Sequence, residues 1–562
     1  MSRKKSILLV LFVIACISAI VGVKYDDRNV QFVRMSDGTL GISVREKLYE
    51  EVIKPYYNSI NDTYYYFMPS SLCGKHQVFN DYCLSFSVNS EAIRKYGCYY
   101  WDDNVAYIVK YGDIESKIVF TESSKVASLF ITTQSGSTES LDADKTNMEA
   151  GMITVFEADG TVTYSGGLTL KGRGNSTYRG FEKKPYNIKL DNEAGILGME
   201  LDKDYCLLAN SWDYSYMNNI LAFDMAKNVG FKYVPDAEYA DVYFNGEYWG
   251  LYLVTEKVEI GNNRIDITDL SRENEVSNPG VIISDVEPFD YGYKRGVHLA
   301  NLPNDISGGY LIERDYRLRP DYSSRVFTPS YFETDEYGTC FNIKSPEYAD
   351  EAEVNYIGSL VSEMEQAIIS ADGFSETGKY YTDYIDIDSW VKCYMIAEIA
   401  YDLDKDVTNT YYYKDRDYVD SRFYAGLVWD YDCRFGGTYQ YSNPNILTKL
   451  TEDVSFSGGY AQYLYDKNEF YDEICNLWNS FFEGYLREDA QENIDIWREL
   501  IRKSVENDNV RWDRNEGYKV TWPVADNSSN FTTTYVFGEQ VDHLKQWIES
   551  RRICLDGYWG NK

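Results

Sequence analysis

The chain has 562 residues, with 89 acidic against 55 basic side chains, a formal net charge of −34 and a pI near 4.5. So acidic a surface repels nucleic acid and anionic lipid, which excludes both as main partners and suits cationic partners, divalent metals or plain solubility. The length predicts two or more domains.

The N-terminus reads as a targeting segment. Arg3, Lys4 and Lys5 precede a nearly all-apolar run from Ser6 to Val23, which fits a secretory signal peptide or an uncleaved membrane anchor over residues 1–23. The run is at the short edge of what spans a bilayer, about 18–20 residues. Val13-Ile-Ala-Cys16 resembles a lipoprotein cleavage box, but apolar sequence continues beyond Cys16. The bulk of the chain is expected outside the cytoplasm, secreted or at a cell or spore surface, with a membrane met only through this segment.

Residues 27–115 show short alternating runs such as Val105–Tyr111 and predict a small β or α+β leader module. Of the 10 cysteines, Cys73, Cys83 and Cys98 are the densest group, and an exported chain predicts buried thiols plus one or two disulfides. No C-x2-C spacing occurs, and His76, His298 and His543 are the only histidines. A structural zinc site or a His-based triad has little material here. The 54 tyrosines suit an alternative, a secreted carbohydrate-active or carbohydrate-binding protein. Glycoside hydrolysis needs two carboxylates about 5–9.5 Å apart, and no sequence pattern singles out such a pair.

Residues 135–147 predict a loop. Strand signals dominate from 126 to 260. Ser128–Thr133 is one; Met152–Phe156 and Thr161–Tyr164 flank Asp159-Gly160, and Val242–Phe244 and Tyr248–Val254 flank Asn245-Gly246, both hairpin signals. Between them Met217, Ile220, Leu221 and Met225 predict a helix over 215–228 stopped by Gly230. Further on, Ile357 to Ile368, Trp390 to Ile399 with Asp388 as N-cap, Ile494 to Val505, and 538–553 predict helices. The order is strands with one helix, then mostly helices: an α+β chain in two lobes.

Three segments carry chemistry. Lys171-Gly172-Arg173-Gly174-Asn175-Ser176-Thr177 joins strand-like runs 167–170 and 185–190. Gly172 and Gly174 let backbone N–H groups approach phosphate, and Arg173 and Ser176 add donors, although Gly-x-Gly alone is usually just a turn. Lys183, Lys184 and Lys189 follow, and Lys184 and Lys189 fall on opposite faces of an ideal strand. Asp404-x4-Asn409 comes next, then Trp429-Asp430-Tyr431-Asp432-Cys433-Arg434-Phe435-Gly436. Protein kinases use these parts in this order: an Asp that accepts the substrate proton, an Asn that holds Mg2+, and an Asp before Phe-Gly that holds the metal again. Alternation puts Asp430 and Asp432 on one face, so the choice of ligand between them stays open. A solvated acidic loop of Asp402, Asp404 and Asp406 is the plainer alternative.

These segments occur in series with Leu207-Leu-Ala-Asn-Ser-Trp-Asp213, Asn219-Ile-Leu-Ala-Phe223, Asn245-Gly-Glu-Tyr-Trp-Gly-Leu-Tyr-Leu-Val-Thr-Glu256 and Gly308-Gly-Tyr-Leu-Ile-Glu313. Together they resemble the CotH family of atypical protein kinases, over about residues 126–450 and on through the helical C-terminus. The resemblance implies an atypical protein-kinase-like fold, with a β-rich N-lobe over about 126–315 and a helical C-lobe over about 350–555. It implies ATP with Mg2+ or Mn2+, and phosphorylation of Ser/Thr in secreted, spore-coat or cell-surface proteins. Asp404 matches the catalytic aspartate, Asn409 the metal-binding asparagine spacing, Asp430 and Asp432 the metal-binding pair, Lys184 the nucleotide lysine, and Glu256 an acidic position near the nucleotide. The chain departs from the pattern at Asp402, where many members have Asn, at Asn409, where others carry a small hydroxyl residue, and at Asn218-Asn219, where Arg-Asn is usual. A catalytically inactive coat or surface protein is therefore kept as an alternative.

Overall fold

The computed structural model describes residues 30–560 except 37, 74–75, 81–84, 89–90, 94–96, 112–113, 316–327, 403–404, 406–408, 438–448, 452–458, 514–520, 524–529 and 533–535. The N-terminal targeting segment and Asp404 lie outside the described residues. Among the described residues no helix is long and apolar enough to cross a membrane.

The leader comprises β1 (Val30–Arg34), β2 (Leu40–Glu46), β3 (Tyr49–Ile53), β4 (Tyr56–Asn58), β5 (Thr63–Met68), β6 (Gln77–Asn80), β7 (Ser85–Val88), β8 (Glu91–Ile93), β9 (Gly97–Tyr100), β10 (Ala106–Tyr111) and β11 (Ile114–Glu122). They form two sheets, ordered β3-β2-β1-β6-β9 and β4-β5-β11-β10-β7-β8. Inward-facing Phe32, Ile42, Tyr66, Phe67, Trp101 and Phe120 build their shared core.

A seven-stranded closed barrel follows, from β12 (Ala127–Thr133), β13 (Met148–Phe156), β14 (Val162–Gly172), β15 (Tyr186–Ala194), β16 (Asp202–Leu208), β17 (Ala237–Phe244) and β18 (Glu247–Glu256), ordered β12-β13-β14-β15-β16-β18-β17. Both predicted hairpins are present. Asn245 and Gly246 have φ of 52° and 85°, as a type I′ turn requires, and a Cβ at Gly246 would come within 2.6 Å of the Val52 carbonyl.

Strands do not stop there. β19 (Phe289–Tyr291), β20 (Lys294–Gly296), β21 (Tyr310–Asp315), β22 (Tyr331–Glu333), β23 (Cys340–Ser345), β24 (Thr410–Lys414) and β25 (Tyr424–Ala425) form a second seven-stranded sheet, ordered β19-β20-β22-β23-β21-β24-β25. From about residue 350 the described chain is mostly helical, as expected, but it also carries short strands, β24 and β25 among them, that the sequence does not reveal. Strands of two to six residues between long connections are too short to show an alternation in sequence.

The longer helices are α1 (Asn218–Asn228), α2 (Leu270–Ser277), α3 (Glu351–Ile369), α4 (Ile387–Ala400), α5 (Asn468–Leu477), α6 (Asp489–Arg511) and α7 (Phe537–Trp559). The apolar stripes read from sequence are their buried faces. The N-cap of α4 is Asp386, whose carboxylate accepts from Ser389 N at 3.1 Å; Asp388, expected in that role, pairs instead with Lys392 at 2.7 Å, one turn on. The 135–147 loop contains a short helix, Glu139–Ala143. Among the described residues Cys73 and Cys98 are not disulfide-bonded, so neither takes part in the expected disulfides; Cys83 lies outside the described residues. Cys73 is buried in the leader core, and burial pushes its thiol well above the usual range.

The chain divides into two compact units. One takes the residues up to Leu170 with Tyr239–Tyr252 and Leu500–Trp512; the other takes Lys171–Glu238, Leu253–Glu499 and Asp513–Lys562. Inside the first unit, the end of α6 is held by buried polar groups. Ser124 and Ser504 exchange N–H to Oγ bonds at 2.9 and 3.0 Å. Asp508 accepts from Leu251 N at 2.9 Å. Fully buried Asp241 accepts from Tyr248 OH and Ser504 Oγ, both at 2.8 Å.

Burial pushes the Asp241 carboxyl up to about 6, from an ordinary 3.8. The folded-state value is the higher one, so this group's contribution is full below about pH 4 and is lost as pH rises through about 6. Asp241→Asn keeps the shape, and the two hydroxyls can turn to accept. Urea unfolding should show the wild type losing about 2–3 kcal/mol relative to the variant between pH 4 and pH 7. A difference that does not change with pH would show that Asp241 is ionised at no cost.

Candidate functional site

The site lies within the second unit, and its frame is local chain geometry. β14 runs into the Gly-rich loop, where Arg173 N donates to Pro185 O at 3.1 Å and Gly174 has φ of 75°. A five-residue helix, Ser176–Gly180, follows. Gly172 is buried at the end of β14, and Ser176 is exposed. The Arg173 guanidinium lies over the Trp429 ring, 5.5 Å from its centroid, which brings the first predicted segment against the third.

Residues 427–437 are irregular chain with turns at 432–433 and 435–436, not a strand. Asp430, Phe435 and Gly436 have φ of 66°, 55° and 71°, so Asp430 and Asp432 are not placed by strand alternation, as expected from sequence, but by a succession of turns. The turn is suspended from two helices. Asn219 Oδ1 of α1 accepts from Tyr431 N at 2.8 Å, and Asn218 Nδ2 donates to Asp432 O at 3.2 Å and Arg434 O at 3.0 Å. From the end of α4, Ala400 O accepts from Phe435 N at 3.0 Å. The start of α1 is itself fixed by Asp213, whose buried carboxylate accepts from Asn218 N at 2.7 Å and from Ser215 N and Oγ at 2.9 and 2.6 Å.

On this frame Asn409 Nδ2 donates to Asp430 Oδ2 at 3.0 Å, and Thr177 Oγ1 of the Gly-rich loop donates to Asp432 Oδ2 at 3.4 Å. The two acidic segments and the glycine loop thus meet at one place. Asp402 does not face solvent: its carboxylate pairs with Arg434 Nε at 2.5 Å, both side chains being nearly buried.

Other predicted residues make contacts of their own. Lys184 donates to Tyr178 O at 2.6 Å and lies over that ring. Lys189 is exposed and salt-bridged to Asp204 at 3.1 Å. Lys183, the neighbour that sequence did not favour, is buried against the Tyr216 ring at 5.7 Å. Glu256 accepts from Arg264 Nη1 at 2.6 Å and from Asp236 N at 3.0 Å, and burial pushes its carboxyl up to about 7. It lines a pocket of about 550 Å³ with Lys232, Tyr233, Lys257, Glu259 and Arg264. Asp202, Asp204 and Glu259 bring oxygens within 4.8 Å of one another there, but Lys257 already bridges Asp204 and Glu259.

Desolvation, with Asp430 beside it, pushes the Asp432 carboxyl up to about 7. The hydrogen bonds to its carboxylate are weak, the Thr177 hydroxyl at 3.4 Å and the Cys433 thiol. The Asp430 and Asp432 carboxylates lie beside each other, with the Asn409 side-chain amide on Asp430, and offer hard oxygen donors. That set fits Mg2+ or Mn2+ and does not fit a thiophilic metal.

Sequence reasoning missed the supports. Asp213, Asn219 and Arg434 stood inside matched motifs, and Asn218 in a departure from the pattern, without a role assigned to any of them. Glu398, Lys405 and Arg551 were given no role either. A signal existed for one of them: Glu398 is an acid inside Ile396-Ala-Glu-Ile-Ala400, an otherwise apolar helix end.

With the geometry in place, the chain can be set beside known families. The sequence profile of the CotH kinase protein family matches residues 170–555. The chain belongs to the CotH kinase family. No curated protein matches it. The CotH match starts just before the Gly-rich loop and ends inside α7, so every residue of the candidate site falls within it, whereas the leader sheets do not.

Gly436 tests the frame. Its φ is 71°, and a Cβ there would lie 2.4 Å from the Trp547 ring. Gly436→Ala should destabilise by about 2 kcal/mol or more, from the left-handed backbone and the ring clash together. A lowered urea midpoint, followed by tryptophan fluorescence, would register this. An unchanged midpoint would mean that the turn is free to move.

Proposed function

We propose that the chain is an atypical protein kinase that transfers the γ-phosphoryl group of ATP to Ser or Thr hydroxyls of secreted, spore-coat or cell-surface proteins. Its β-rich part, about 126–315, and the part from about 350 to 555 would act as the two lobes. The observation that carries the reading is the Asn409–Asp430 hydrogen bond, 3.0 Å across 21 residues of sequence, with Asp432 two residues on and the Gly-rich loop touching it. Family membership supports it.

Phosphoryl transfer asks for positioning and charge neutralisation rather than covalent catalysis. Asp404 would orient the acceptor hydroxyl and take its proton. Asn409, Asp430 and Asp432 would hold Mg2+, which supplies neutralisation of the phosphate charge. Gly172 and Gly174 would let the phosphates come close to the loop, the Arg173 and Ser176 side chains would restrain them, and Lys184 would add a cation at the same loop. Glu256 would lie near the nucleotide, as the pocket it lines suggests. The basic N-terminus followed by an apolar run supports an extracytoplasmic location, and the charge of −34 favours basic acceptor proteins.

Labelled ATP with Mg2+ or Mn2+ should label the purified protein or an added coat-type protein. Asp404→Ala and Asp432→Ala should each lower the rate by about 10²–10⁴-fold. If the wild type neither binds ATP nor transfers phosphate with any metal, the kinase reading is wrong and an inactive coat or surface role takes its place.

Metal binding needs ionised carboxylates, and burial, with Asp430 beside it, pushes the Asp432 carboxyl up to about 7. Mn2+ affinity, read by electron paramagnetic resonance, should therefore climb between pH 5.5 and 7 by up to about tenfold per unit and level off above. A flat profile would place the cation away from Asp432.

A further inference from the structure

One buried charge that the reaction does not use is Glu398, on the last turn of α4 and fully excluded from solvent. Its Oε2 accepts from Arg551 Nη2 and from Thr451 N, both at 3.0 Å. Its Oε1 accepts from Lys405 Nζ and from Thr451 Oγ1. Arg551, on α7, is also fully buried; its Nε donates to Glu398 O at 2.9 Å and its Nη1 to Lys449 O at 2.6 Å. One carboxylate thus binds two cations, one from the segment between Asp402 and Asn409 and one from the final helix.

Apolar side chains would fill this volume at less cost, since desolvating three charges is expensive and the pairing is at best a partial return. What charges add is a fixed geometry. The segment from 402 to 409 is held at three described points: Asp402 to Arg434, Lys405 to Glu398, and Asn409 to Asp430. The Asp430–Asp432 turn hangs from the same helix end through Phe435 N and Ala400 O, and Trp547 of α7 donates to Ile399 O at 3.4 Å.

We propose that Lys405 and Arg551, meeting on Glu398, are positioning residues that set Asn409 against Asp430, which makes the final helix part of the support of the phosphoryl-transfer site. The inference rests on the kinase reading for its functional half and on geometry alone for the rest.

The test is Lys405→Met in the full chain, with Lys405→Arg beside it. The methionine variant leaves Glu398 paired with Arg551 and Thr451, so the fold is retained. Amide hydrogen exchange is read at Asp402, Tyr431 and Phe435, which donate to Ala397 O, Asn219 Oδ1 and Ala400 O. Lys405→Met should speed exchange there about tenfold or more while amides of β12 and β13 stay unchanged, and Lys405→Arg should restore protection. In the transfer assay Lys405→Met should lower kcat about tenfold or more, with KM for ATP within about twofold of wild type. Unchanged exchange at all three amides overturns the proposal. So does faster exchange everywhere, β12 and β13 included, because that marks a general loss of stability. A wild type without transfer activity would end the kinase reading, and the exchange result would still decide whether Lys405 holds the segment.

Discussion

An α-helix leaves its last four carbonyls without donors of its own. The end of α4 is buried, so donors must come from elsewhere in the chain. Ala397 O takes Asp402 N, Glu398 O takes Arg551 Nε, Ile399 O takes Trp547 Nε1, and Ala400 O takes Phe435 N. Tyr401 leaves the helix with φ of 54°. Ala397 O and Glu398 O also take the Tyr401 N–H, whereas Ile399 O and Ala400 O are served by the final helix and the Asp430–Asp432 turn, and together these bonds tie the three segments to one point. Satisfying a helix end and assembling the candidate site are the same event.

Charge then decides what each group does. Glu398 lies deeper than any carboxylate of the candidate site, and burial alone would push it up; Lys405 and Arg551 outweigh that and hold it below the usual carboxylate range. Asp402 is paired with Arg434. With those cations engaged, Asp430 takes the Asn409 amide, and Asp432 beside it takes the Thr177 hydroxyl and the Cys433 thiol. The chain spends its buried positive charge on the supports and leaves the two central carboxylates short of it, an arrangement that stores demand for a cation.

Legibility in the sequence followed the range of the interaction. Hairpins at Asp159-Gly160 and Asn245-Gly246 were readable because a turn is a matter of two residues and a sign of φ. The amphipathic helices were readable from stripes that repeat over several turns. Asn409, Asp430 and Asp432 were readable as chemistry because kinase-like parts come in a fixed order, but their geometry was not: a Trp-Asp-Tyr-Asp run reads as strand, and only positive φ at Asp430, Phe435 and Gly436 makes it a turn. The second sheet was hidden because β21 pairs with β24 across about a hundred residues. The supports were hidden for the same reason: Asn218 reaches Arg434 over 216 positions and Arg551 reaches Glu398 over 153. No local pattern specifies such partners.

Several carboxylates in this protein are pushed up by burial, and the shift alone does not tell a site from a strut. Their partners do. Asp241 receives two hydroxyl bonds at 2.8 Å, and Asp213 receives three bonds of 2.6–2.9 Å. Each of those carboxylates is served by short donors from its own frame, which offset part of the cost of burial without any ligand. Asp432 receives a hydroxyl at 3.4 Å and a weak thiol donor, beside a second carboxylate. Its deficit is of the kind that a bound cation removes and that no apolar rearrangement can. Asp241 and Asp213 are therefore structural, and Asp432 is the carboxylate around which the fold has left an unmet electrostatic requirement.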